Sequence, residues 1–176
     1  MTASTLSFPG VGTRERVRSA VRRILTAAVL VALLDGLYVV VVFAGLLHAT
    51  TAARIFKGIA RAVTGPAAAT GGAATVALGI LLHCSVALSW SIVWALAYES
   101  SAALRRWTTH KLPAIGIGVA YGICVWAGMR YLVLPLTQTP PGPLMTRGTA
   151  LVLLAHIIVV GPPIVLAMRS RHASSE

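Results

Sequence analysis

Long apolar stretches alternate with short polar segments along this chain, and the pattern predicts helices that cross a membrane. The four stretches cover residues 24–47, 73–97, 112–136 and 149–168. Each is long enough to span a hydrocarbon core of about 30 Å as an α-helix. Because residues 29–34 and 39–47 are apolar at every position, the first helix has no polar face to turn toward water. The sequence therefore predicts an all-α integral membrane four-helix bundle.

The composition is typical of a membrane protein, and the length of the chain limits the number of domains. Hydrophobic residues make up 57% of the 176 residues and charged residues 11%, against about 25% charged residues in soluble domains. A chain of this length forms one domain. Residues 1–23 are predicted as a basic cytoplasmic segment, residues 24–168 as the transmembrane domain and residues 169–176 as a cytoplasmic tail.

The net charge of +11 comes from basic residues that are unevenly distributed about the predicted spans. Ten flank the predicted inner ends: Arg14, Arg16, Arg18, Arg22, Arg23, Arg105, Arg106, Lys111, Arg169 and Arg171. Four flank the outer ends: Arg54, Lys57, Arg61 and Arg147. Because basic residues accumulate on the cytoplasmic side, the split predicts a multi-pass membrane protein with both termini in the cytoplasm. The expected partners are the bilayer and its anionic headgroups at the cytoplasmic face, and no base-reading motif points to nucleic acid.

The connection between the first two spans has a helical pattern of its own. In residues 52–64, the basic Arg54, Lys57 and Arg61 fall on one side of a helix, opposite the apolar Ile59. A segment of this kind lies along a membrane surface with its apolar face in the headgroup zone. We expect a short amphipathic helix at the outer interface.

Each predicted span carries one ionisable side chain well inside its apolar stretch, namely Asp35, His83, Arg130 and His156. Such groups are costly in lipid unless they are paired or hydrated, so they are candidates for function. Tyr38 follows Asp35 by one turn. Counted along the helices, Asp35 lies near mid-membrane and the others in the outer half, so Asp35 and Arg130 are expected to pair. These five residues form the candidate intramembrane polar cluster.

Small residues and prolines predict how the helices pack. Small side chains recur every four positions in two stripes, at Gly79, Ala87 and Ser91 around His83, and at Ala114, Gly118 and Gly122 before Trp126 and Arg130. Stripes of this kind let membrane helices approach closely. In the fourth span, Gly161-Pro162-Pro163 removes two amide donors and predicts a kink, or else a helix break that exposes carbonyls to a substrate or an ion.

The run IFKGIARAVTGPAAATGGAATVALGILLH, followed by YGICVWAGMRYLVLPL, resembles a group of small bacterial four-span inner-membrane proteins of uncharacterised role, distantly YagU-like. The resemblance covers about residues 24–169. It implies the fold and the location, and it carries over no reaction and no catalytic residue.

Three classes of function fit the polar cluster. The first is a non-enzymatic structural or accessory membrane protein, with a second copy or another membrane protein as a possible partner, because buried polar residues often satisfy one another. The second is a small proton- or cation-coupled transporter that uses Asp35, with an aromatic lining from Tyr38, Trp90, Trp94 and Trp126. A pairing of Asp35 with Arg130 would count against it, because a paired aspartate stays ionised.

The third class is a membrane protein that binds haem b through His83 and His156 as opposed axial ligands. Otherwise no cofactor is expected. No metal site is predicted, because Cys84 points about 100° away from His83 on the same helix. No catalytic residue is predicted either, because the spans contain one acid and no nucleophile motif.

Overall fold

The computed structural model describes residues 9–169, which form helices and no strand. The α-helices are α1 (Pro9–Val39), α2 (Ala52–Thr64), α3 (Ala73–Ser100), α4 (Ala102–Trp107), α5 (Lys111–Gly128), α6 (Arg147–Ala155) and α7 (Gly161–Met168). Three π-helical turns extend or join them, at Val40–Leu46, Met129–Val133 and His156–Val160, and 3₁₀ turns lie at Gly65–Thr70 and Leu134–Leu136.

Four continuous helical segments are long and apolar enough to span a membrane, as the sequence predicts. They are Thr13–Leu46, Ala73–Ser100, Lys111–Leu136 and Arg147–Met168. Residues 1–8 and 170–176 lie outside the described part of the chain, and with them nearly all of the predicted cytoplasmic tail.

Three of the helices have an N-cap residue with a hydroxyl side chain. The side chains of Thr51, Ser101 and Thr146 each accept a hydrogen bond from the backbone amide three residues later. This contact satisfies one of the amides that a helix leaves unpaired at its start. At the end of α2, Gly65 adopts a φ of 64°, which glycine reaches without steric cost, and the chain turns toward α3.

The four long segments form a ring in chain order around a shared interior. Helix α1 packs against α3 on one side and α7 on the other, and α5 packs against α7. Aromatic side chains close the ring between α3 and α5. The hydroxyl of Tyr121 donates to the carbonyl of Trp90 at 2.6 Å, and the rings of Tyr121 and Trp94 lie 4.9 Å apart.

The predicted stripe of small residues on α5 is the surface that meets the fourth span. A Cβ at Gly118 would lie 2.5 Å from Cα of Pro162, and a Cβ at Gly122 would collide with the carbonyl of His156. The backbones therefore touch without side chains between them. The predicted irregularity at Pro162 takes the form of the π-helical turn His156–Val160 directly before α7.

Helix α2 packs against α3 rather than extending away from it. A Cβ at Gly79 would collide with the backbone carbonyl of Phe56, so the two helices are in backbone contact. Gln138 contacts the C-terminal end of α2. The backbone amide of Gln138 donates to the carbonyl of Ala62, and its side-chain amide donates to the carbonyl of Val63. The segment is helical over the predicted range, and its place at a membrane surface stays a prediction.

Basic residues of the first and fourth spans meet at one end of the bundle. At one end, Arg169 donates to the carbonyl of Thr109 and borders a groove together with Arg22 and Arg23. At the other end, the contact with Gln138 joins α2 to the connection that follows α5. The orientation of these ends relative to a membrane is not part of the geometry and stays a prediction.

Candidate functional site

Asp35 and His83 face each other inside the ring of helices and form an ion pair when the imidazole is protonated. Nδ1 of His83 lies 3.9 Å from Oδ2 of Asp35, and the two side chains are only 14% and 18% exposed. It is the only ion pair between side chains in the described part of the chain. The separation is longer than a direct hydrogen bond of about 2.7–3.2 Å, so a water molecule or a small side-chain shift would complete the contact.

The tautomer of His83 follows from its second contact. Its Nε2 lies 3.0 Å from the carbonyl oxygen of Ala32 on α1. A carbonyl only accepts hydrogen bonds, so Nε2 carries the hydrogen. In the neutral ring Nδ1 is then the nitrogen without a hydrogen, and it is the nitrogen that faces Asp35. A hydrogen bound to Nδ1 would point toward the carboxyl group of Asp35.

A cavity of about 160 Å³ adjoins this pair. Its walls come from α1, α2, α3, α5 and the fourth span, and they include Asp35, His83, Trp90 and His156. A water needs about 10–15 Å³ of such space and two to four polar partners, so the cavity can hold several waters beside the pair. Both predicted histidines thus line one cavity, as their similar depth implies.

His156 faces the same interior with the opposite tautomer. Its Nδ1 donates to the carbonyl of Val152 one turn earlier, at 2.8 Å, which leaves Nε2 for the cavity. His156 and Asp35 line the same cavity. His156 also begins the π-helical turn and lines a second, larger cavity, so it stands between the two.

Tyr38 contributes to the cluster by joining helices. Its hydroxyl donates to the carbonyl of Leu151 on α6 at 3.0 Å. Because the two residues are far apart in sequence, the bond ties the first span to the fourth directly beside Asp35. Tyr38 thus fixes the position of the helix that carries the acid.

The predicted pairing of Asp35 with Arg130 is wrong. The guanidinium of Arg130 donates from Nη2 to the carbonyl of Gly142 at 2.6 Å, and its Cζ lies 5.8 Å from the ring centres of Trp126 and Tyr131. Depth along a helix fixes one coordinate only. Arg130 lies in the π-helical turn Met129–Val133, where the wider turn changes the direction of side chains around the helix axis, and it contacts the connection before α6 instead of Asp35.

The predicted aromatic lining is not formed as a single wall. Trp90 lines the small cavity and Trp126 the larger one. Trp94 is buried in the core, 3% exposed, against Tyr121. A single aromatic box for an apolar cation therefore does not surround Asp35.

Sequence analysis missed the contribution of α2 to the site. The rings of Phe56 and His83 lie nearly perpendicular to each other with their centres 6.2 Å apart, and Ile59 lines the small cavity. The apolar face of α2 could have predicted a contact with the helix bundle. The sequence analysis assigned that face to the lipid headgroups instead. The backbone carbonyls that fix His83 and Tyr38 have no signature in sequence.

The residues present do not fit a haem. Ligand cavities for drug-sized molecules measure about 300–1,000 Å³, which is well above the 160 Å³ found here. His83 directs Nε2 at a carbonyl and Nδ1 at a carboxyl, so neither nitrogen is placed for iron. Among the described residues, no group of three or more His, Cys, Asp or Glu side chains could hold a metal ion.

Comparisons with protein-family models, with curated proteins and with solved structures give no match to this chain. The resemblance to YagU-like proteins stays a prediction. What the geometry offers is a protonatable pair, Asp35 and His83, with a second histidine beside a cavity that can hold water.

Proposed function

We propose that this chain is a small multi-pass membrane protein that binds and releases protons at Asp35 and His83, and that it carries protons across the membrane. It performs no covalent chemistry. The observation that carries the proposal is the distance of 3.9 Å between Nδ1 of His83 and Oδ2 of Asp35, beside a cavity lined by His156.

The exposed surface of the bundle supports a place in lipid. Only 17% to 33% of the most apolar part of each long segment is buried within the protein. Large apolar side chains such as Leu33, Leu81 and Leu96 point outward and are more than 60% exposed. Soluble monomers rarely expose large continuous apolar surface, whereas a hydrocarbon core matches it. The distribution of basic residues supports an orientation with both termini inside. The resemblance to small four-span proteins supports a bacterial inner membrane as the location.

Asp35 can take part in proton binding because its partner is a histidine and not an arginine. A permanent guanidinium beside the acid would keep it ionised, but Arg130 is occupied at the outer connection. A histidine can take up or release its own proton, so the pair can change its total charge. An ionisable pair that faces a cavity within a membrane helix bundle is typical of proton relays in transporters.

The test is proton flux into liposomes that hold the purified protein and an internal pH-sensitive dye. A potassium gradient with valinomycin supplies the driving force. We expect flux above that of protein-free liposomes, and we expect Asp35→Asn to reduce it to the protein-free level. Glu99→Gln is the matched control, because Glu99 is an exposed acid near the far end of α3 and should leave the flux unchanged.

Folding of each variant is checked by its elution in size-exclusion chromatography. His83→Gln is the second variant, and it should also lose the flux. Flux that persists in both folded variants would overturn the proton site.

A structural or accessory role is the second candidate. One observation favours it: Tyr38 and His83 each donate to a backbone carbonyl of another helix, and so hold the bundle together. This role predicts no flux in the native protein, together with lower stability in Tyr38→Phe and His83→Gln. The flux measurement therefore separates the two candidates.

A further inference from the structure

A second cavity, of about 470 Å³, lies at the end of the bundle that is predicted to face outward. Its walls include Phe43, Trp126, Arg130, Gly142, Thr149 and His156. The volume lies in the range of about 300–1,000 Å³ that small-molecule sites occupy. The proposed proton site does not use this cavity, apart from the shared His156.

Arg130 is held in this cavity with most of its hydrogen-bonding capacity unused. A guanidinium has five N–H donors, and one of them is satisfied by the carbonyl of Gly142. The Nε of Arg130 is buried and has no acceptor among the described residues. No carboxylate in the described part of the chain forms an ion pair with it. A fixed, partly buried cation without a counter-charge is costly, and an anion would offset that cost.

Three π-helical turns contribute residues to this cavity. Phe43, Arg130 and His156 lie in the three different π-helical turns, and each contributes to this one cavity. Such turns hold below about 1% of residues in ordinary proteins and occur often at functional sites. Their convergence on one cavity indicates a built site rather than three unrelated irregularities.

We propose that this cavity binds an amphipathic anion. A carboxylate or phosphate group of the ligand accepts hydrogen bonds from Arg130, in the geometry that guanidinium groups favour. The apolar part of the ligand packs against Phe43, Trp126 and Val152. The anionic group belongs either to a soluble organic acid or to the headgroup of an anionic lipid.

The test is calorimetric titration of the protein with octanoate, in nanodiscs of neutral phosphatidylcholine. We expect binding that 1-octanol, its uncharged counterpart, does not reproduce. Arg130→Gln should weaken octanoate binding by at least about tenfold, which is the loss expected for hydrogen bonds to a charged group. Arg147→Gln is the matched control, because Arg147 is an exposed arginine at the same end and does not line the cavity.

Native mass spectrometry with phosphatidylglycerol nanodiscs distinguishes the two sources. One retained phosphatidylglycerol that Arg130→Gln loses would assign the site to a lipid headgroup. Octanoate binding that phosphatidylglycerol does not compete with would assign it to a soluble acid. Absence of any binding that depends on Arg130 would overturn the proposal. The measurements need no proton gradient, so they are decided independently of proton transport.

A second variant keeps the test valid if Arg130→Gln does not fold. A Cβ at Gly148 meets only Thr146 Oγ1, at 3.9 Å, so a leucine there has room within the cavity wall. Gly148→Leu should weaken octanoate binding by filling the site. Gly116→Leu is its control, because a Cβ at Gly116 meets nothing within 4 Å and Gly116 lines neither cavity.

Discussion

Replacing Gly122 by alanine should destabilise the bundle, because the added methyl group has no room. It would collide with the carbonyl oxygen of His156 and lie 2.7 Å from its carbonyl carbon and 3.3 Å from Cα of Ile157. These are backbone atoms of the π-helical turn, and they cannot rotate away as a side-chain tip can. Relief requires α5 and the fourth span to move apart. Overpacking of this kind costs about 1–3 kcal/mol.

The same substitution at Gly116 provides the matched comparison. Gly116 lies on the same helix, and a Cβ there meets nothing within 4 Å. Both variants gain the advantage of alanine over glycine in a helix, about 0.5–1 kcal/mol. That gain cancels in the comparison, so Gly122→Ala should be less stable than Gly116→Ala by the packing cost alone, about 1–3 kcal/mol.

The assay is reversible unfolding in mixed dodecyl maltoside and SDS micelles, followed by circular dichroism. The free energies of unfolding of the two variants are compared under identical conditions. Equal stability of Gly122→Ala and Gly116→Ala would show that α5 and the π-helical turn do not touch as described.

Three other predictions concern the polar residues and the topology. In double-mutant cycles, Asp35 and His83 should couple by about 0.5–3 kcal/mol, while Asp35 and Arg130 should add independently; the reverse result would restore the pairing expected from depth. Tyr38→Phe should lower the free energy of unfolding by about 1 kcal/mol through loss of the bond to Leu151, and an unchanged value would exclude that bond. Reporter fusions at the C-terminus and between the second and third spans should be cytoplasmic, while fusions in the other two connections should be external; an external C-terminus would contradict four crossings.

The lengths of the helices and much of their packing could be predicted from the sequence. Long runs of apolar residues predict long helices, because a backbone in lipid must satisfy its hydrogen bonds internally. The stripe that contains Gly118 and Gly122 marks a close helix contact because small residues at this spacing let two backbones approach each other. Pro162 marks an irregular helix for an equally local reason, which is its missing amide.

The partners of the polar residues could be predicted only in part. Counting residues gives the depth of a side chain but not its direction around the helix axis, and depth alone paired Asp35 with Arg130. In the structure Asp35 lines a cavity with His83 and His156, while Arg130 contacts Gly142 in the connection before α6. Arg130 lies in a π-helical turn, which the sequence does not mark. The placement of α2 against His83 also depends on tertiary packing, because an amphipathic face suits a protein surface as well as a lipid surface.

The most direct test of the proton site is the protonation of the His83 ring, followed by ¹⁵N NMR across pH in lipid nanodiscs. The geometry predicts that the neutral ring carries its hydrogen on Nε2, and that the ¹⁵N signal of Nδ1 changes in Asp35→Asn because this nitrogen faces the carboxyl group. A neutral ring with its hydrogen on Nδ1, or an Nδ1 signal that Asp35→Asn leaves unchanged, would contradict a proton site formed by Asp35 and His83.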